Sequence, residues 1–129
     1  MEQEIIGTWQ LEAFVIEDAE TSRRRDWGKA AHGLLIYAPS GHMSVSINKQ
    51  IESDPEQSEA ENLFDSILFY SGTYQVAGKT ITHQVTQASN PTRIGKEMIR
   101  YAEFHEGLLE LVTPKEAFGR AILKWRKIA

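Results

Sequence analysis

The sequence predicts a mostly β protein, a single antiparallel up-and-down β-barrel of about eight strands with one helix (about 55–70), forming one domain over residues 1–129. Three observations carry that prediction. Apolar and polar residues alternate along most of the chain, which places successive side chains on opposite faces of a strand. Turn signals built on glycine, proline and asparagine recur between the alternating runs. Only one stretch, in mid-chain, carries its apolar residues at helical spacing instead.

The first strand covers residues 5–16, I-I-G-T-W-Q-L-E-A-F-V-I. Trp9, Leu11, Ala13 and Val15 share one wholly apolar face, and Gln10, Glu12, Phe14 and Ile16 take the other. Trp9 is expected to plug the closed end of the barrel. Residues 17–32 are polar and show neither strand nor helical periodicity, which reads as a long loop at the barrel mouth. Its one large apolar residue, Trp27, either pegs the loop to the rim or touches a ligand. Residues 33–38 and 42–48 flank the turn Pro39-Ser40-Gly41 as a hairpin, with Met43, Val45 and Ile47 on one face.

The character of the chain then changes. Asp54 suits an N-cap, Pro55 the first helical position and Gln57 the capping-box position three residues on. Ala60, Leu63, Phe64, Ile67, Leu68 and Ser71 form one stripe, so the helix is expected to run to about Tyr70 and to pack across an end or side of the barrel. Strands resume at residues 73–77 and 79–86 about Gly78, at 95–104 and 108–113 about Glu106-Gly107, and at 121–128. Eight antiparallel strands at this density close into a barrel wide enough for one small ligand and leave no open edge.

Composition removes several classes of function. A chain of 129 residues, 41% hydrophobic and 25% charged, buries a core without staples. It has no cysteine, which excludes a disulfide framework, a thiolate nucleophile and a thiolate metal site. A net charge of −4 and a pI near 5.6 remove the electrostatic case for nucleic acid as a partner. The one basic cluster, Arg23-Arg24-Arg25, is offset by Glu17, Asp18, Glu20 and Asp26. Acids stand at the N-terminus where a secretory signal needs basic residues, and no apolar run nears the roughly 20 residues that span a bilayer. A cytoplasmic location without membrane insertion is the resulting expectation. His32, His42 and His105 lack metal-ligand spacing, and no H-E-x-x-H, G-x-S-x-G or phosphate loop occurs, so neither a metal nor a cofactor is expected.

Several short motifs together resemble the bacterial lipocalin-like domain family. They are Gly7-Thr8-Trp9, residues 33–37 followed by P-S-G-H-M-S-V at 39–45, F-Y-S-G-T-Y at 69–74, Thr82-His83, Arg100-Tyr101 and Trp125-Arg126. The resemblance spans most of the chain. It implies a calycin-type barrel whose internal cavity binds a small apolar molecule, and it supplies no reaction. The lipocalins best known as carriers are secreted and often disulfide-bonded, whereas this chain has no cysteine and is expected to carry no secretory signal.

Two polar side chains fall on apolar faces. His83 lies between Ile81 and Val85, and Arg100 is in phase with Met98, Ala102 and Phe104. A buried charge that loses its partner costs roughly 3–5 kcal/mol, so something must answer Arg100. Either it stacks on Trp9 and closes the barrel end, a cation–π contact of about 0.5–2 kcal/mol, or it points into the cavity toward a ligand carboxylate or enolate. Arg126 competes for the stacking role; if Trp9 and Arg126 form the barrel closure, Arg100 is freed for ligand. His83 is either a neutral interior histidine, bonded to a tyrosine or a carbonyl, or a general acid/base. Tyr37, Tyr74 and Tyr101 are its candidate partners, and the catalytic candidates are His83, Tyr101 and Tyr37. Arg100, His83, Tyr74, Met43, Trp27 and Trp125 are the candidates for ligand contact.

These residues suit the binding of a small hydrophobic or amphipathic molecule inside the barrel. The alternative is a cofactor-free isomerase, cyclase or dehydratase in the same cavity, serving secondary metabolism. A third reading is an interaction module with a filled barrel. A cavity of roughly 300 Å³ or more separates the first two from the third.

Overall fold

The computed structural model describes residues 1–129. Nine strands form one sheet: β1 (Gly7–Asp18), β2 (Arg24–Asp26), β3 (His32–Tyr37), β4 (His42–Asn48), β5 (Ile67–Ala77), β6 (Thr80–Ala88), β7 (Glu97–His105), β8 (Leu108–Val112) and β9 (Gly119–Lys127). Every pairing is antiparallel, and β1 also pairs with β9, so eight strands close on themselves. β2 is the extra strand. It lies along the second half of β1, past the point where β3 stops, through Val15–Asp26, Ile16–Arg25 and Glu17–Arg24. Part of the expected long loop is therefore strand.

The phase of β1 changes midway. Its register with β9 shifts between Leu11 and Ala13, leaving Glu12 as an extra residue. A bulge of one residue moves every later side chain to the opposite face. Trp9 and Leu11 point inward as expected, but beyond the bulge the inward residues are Phe14 and Ile16, not Ala13 and Val15. Phe14 is 8% exposed and stacks on Trp27, with ring centroids 4.7 Å apart.

The mid-chain helix is much shorter than its stripe. α2 covers only Glu59–Phe64, capped by Ser58 in a capping box with Glu61, while Asp54 and Pro55 sit in a preceding turn. Residues 67–70, expected as helix, open β5. Leu63, Phe64, Ile67 and Leu68 match a helical stripe, yet a short apolar run fits a strand equally well. The tertiary pairing of β5 between β4 and β6 decides the matter.

The connections sort the barrel into two ends. Tight turns at residues 38–41, 78–79 and 106–107 lie at one end, the last with Glu106 and Gly107 both at positive φ (52° and 79°) as a two-residue hairpin requires. A short helix, α1 (Glu2–Ile5), tucks under that end. Ile5 is fully buried, and the Trp9 indole N–H donates to its carbonyl at 2.8 Å. The cation over Trp9 is neither expected arginine but Lys127, whose Nζ lies 5.8 Å from the ring centroid. Trp125 points into the core, so Arg126, one residue on, points out and bonds Glu12 and Gln10 on the outer surface. The four long connections gather at the opposite end and form the mouth. There Glu17 bonds both Arg24 and Arg120 at 2.9 Å, tying β2 and β9 to β1. No helix is long and apolar enough to cross a membrane.

Candidate functional site

The polar centre of the barrel is built on β6. Strand alternation aims Ile81, His83 and Val85 inward, and His83 is only 2% exposed. Two phenols meet its ring, one from each side. The hydroxyl of Tyr37, the last residue of β3, lies 2.6 Å from Nε2, and that of Tyr70, on β5, lies 2.6 Å from Nδ1. Tyr74 is aimed elsewhere: its hydroxyl donates to the Ala38 carbonyl at 2.8 Å, and its ring meets Tyr37 edge-on at 4.8 Å. Tyr74 thus supports Tyr37 and leaves His83 to the other two.

Burial, reinforced by the nearby Arg100 guanidinium, lowers the His83 pKa from 6.5 to about 3. The imidazole is therefore neutral at physiological pH and carries one proton. Burial also raises both phenols, Tyr37 strongly, so they stay protonated. Two arrangements of these protons are available. If Nε2 carries the hydrogen, it donates to Tyr37, whose own O–H then has no acceptor in a fully buried site. Leaving such a donor unmet costs about 1–3 kcal/mol. If Nδ1 carries it, Tyr37 donates to Nε2, Nδ1–H donates to Tyr70, and the spare O–H belongs to Tyr70. Tyr70 lines the cavity whereas Tyr37 does not, so hydrogen-bond economy assigns the second arrangement.

The cavity has a volume of about 380 Å³ and opens toward the mouth. Its wall is mainly apolar, with Phe14, Leu35, Val45, Leu111, Leu123 and Trp125 prominent. His83, Tyr70 and Arg100 supply polar groups, and Arg93, Glu97 and Glu116 add charges from the mouth side. Arg100 is half-buried and pairs with no carboxylate; its one hydrogen bond runs from Nη1 to the Ile99 carbonyl at 2.8 Å. It does not stack on Trp9. Trp27 pegs the β2 region by its stack on Phe14, with Lys49 Nζ 4.4 Å over its ring, and it also lines the cavity.

The structure thus brings together His83, Arg100, Trp27 and Trp125 around the cavity, with Tyr37 directly behind His83. Met43 is a core residue, 4% exposed, and like Tyr74 does not line the cavity. Tyr101 is ruled out as a partner of His83: strand alternation turns it outward, and it is 48% exposed. Tyr70 is the residue the sequence reading missed. The alternation Tyr70, Gly72, Tyr74 in phase with Leu68 was the signal that could have found it.

A closed antiparallel barrel around a ligand-sized cavity is the class that fold and site define. The profile of the lipocalin-like domain matches residues 6–128, and the chain belongs to that family. Among solved structures it is similar to crystal structures of two asparagine mutants of the fluorescent protein UnaG. One is 12% identical, with 100% of this chain and 99% of that chain covered and a TM-score of 0.48. The other is 15% identical, with 98% of each chain covered and a TM-score of 0.45. Neither likeness, at that identity, bears on what this chain binds. No curated protein sequence matches it.

Proposed function

We propose that this protein binds one small hydrophobic or amphipathic molecule inside its barrel. The observation that carries the proposal is the cavity of about 380 Å³, walled mainly by apolar side chains and opening among the mouth loops. That volume lies within the range of small-molecule sites, roughly 300–1,000 Å³, and is too large for a barrel filled by its own side chains. Apolar surface moved from water into such a site stabilises the complex by about 25 cal/mol per Å². The enzymatic alternative gains less support. A histidine with a pKa of about 3 and both ring nitrogens held by phenols is poorly matched to proton abstraction near neutrality.

Native mass spectrometry of protein purified from its own host tests the proposal. The expected result is a one-to-one complex with a small molecule that is released on denaturation. An unliganded mass, together with failure to take up any small apolar probe, would refute it.

A further inference from the structure

We infer that the polar end of the ligand is a carboxylate, held jointly by the Tyr70 hydroxyl and the Arg100 guanidinium, with Tyr37 and His83 as positioning residues. This rests on the ligand-binding proposal above and adds the chemistry of the group recognised.

The first support is the direction of the hydrogen-bond chain. Tyr37 has no acceptor other than His83, so its proton is committed to Nε2, and the Nδ1 proton to Tyr70. The proton left over is that of Tyr70, in the wall of the cavity. A group that meets it must accept a hydrogen bond. The second support is Arg100. A guanidinium has five N–H donors, and here a single hydrogen bond, to Ile99, is made. No carboxylate of the protein answers its charge. Arg100 lies close enough to Tyr70 to act on its hydroxyl, and Arg93 adds a second positive charge nearby. The glutamates that line the cavity, Glu97 and Glu116, are exposed at the mouth, and the charges that act on Tyr70 and His83 are arginines.

In a chain of net charge −4, the polar wall is therefore locally positive and rich in donors. A planar carboxylate meets both groups, with one oxygen toward the guanidinium and one toward the phenol. An ammonium group would meet a like charge and a donor with nothing to accept from it.

Fluorescence titration with the neutral apolar dye N-phenylnaphthylamine, followed by displacement with decanoate or decylammonium, tests the inference. Decanoate is expected to displace the dye at a concentration at least about tenfold lower than decylammonium does. Tyr70→Phe and Arg100→Met are each expected to weaken decanoate about tenfold relative to the dye. The nitrogen NMR shifts of the wild-type imidazole are expected to show Nδ1 protonated and Nε2 bare, a readout that needs no variant to fold. Equal displacement by the two amphiphiles, with the dye bound, overturns the carboxylate inference and leaves cavity binding standing. A protonated Nε2, or a Tyr70→Phe variant with full decanoate affinity, removes Tyr70 from the site. Failure of the dye to bind overturns both proposals.

Discussion

His83 is stable inside the barrel only as a neutral ring, and that makes it a source of acid sensitivity. Its folded pKa is about 3 against 6.5 for the ordinary side chain, so between those values the unfolded chain binds a proton that the folded chain refuses. The stability contributed by the neutral ring is fully present above about pH 6.5 and is lost as pH falls through that window, at up to about 1.4 kcal/mol per pH unit. His83→Gln removes the titrating group while keeping one donor and one acceptor for the phenols. Urea unfolding of both proteins at about pH 7 and about pH 5 is expected to show the steeper loss in the wild type. Parallel losses would mean that His83 is not a buried neutral histidine. Its importance, and that of Arg100, was legible in the sequence because a polar residue on an apolar face is anomalous. Tyr37 was legible as a candidate partner, but that Tyr70, and not Tyr74 or Tyr101, is the second was not, since that depends on cross-barrel distances. Tyr101, adjacent to Arg100 in the chain, faces away from it across the strand.

At the scale of elements, two bulges explain much of what the alternation alone did not show. The Glu12 bulge delivers Phe14 and Ile16 to the cavity, and nothing in the run from Trp9 to Ile16 marks where the phase changes. The second lies between β5 and β6, where the register shifts at Ser71 and Gly72. A Cβ built on Gly72 would stand 1.8 Å from the Gln84 carbonyl oxygen, a backbone atom that moves only with its strand. Gly72→Ala is therefore expected to cost about 1–3 kcal/mol, measured by equilibrium unfolding, because the two strands must part. A variant as stable as the wild type would show that this close approach is absent. Gly72 serves the close packing of β5 on β6. The helix itself was overextended because β5 begins with residues that satisfy both periods.

At the scale of the whole molecule, the barrel was the most legible feature, because strand count, turn spacing and alternation all agree. Its division of labour was visible only in outline. The closed end has tight turns, α1 and the Trp9–Lys127 contact, whereas the mouth has every long connection and the cavity. Closure by Lys127 leaves both arginines free of the structural role expected for one of them. Arg126 turns to the outer surface and Arg100 to the cavity, which links the architecture to the proposed ligand.

The cavity, and no other surface, is expected to take up a small apolar molecule. Titration of N-phenylnaphthylamine into the wild type, Tyr101→Phe and Ala121→Phe tests it most directly, since Ala121 lines the cavity and Tyr101 lies outside the barrel. Saturable one-to-one binding is expected in the wild type and in Tyr101→Phe. Affinity is expected to fall by at least about tenfold in a folded Ala121→Phe, whose added ring occupies the cavity. No binding by the wild type, or equal binding by the folded filled variant, would contradict the account.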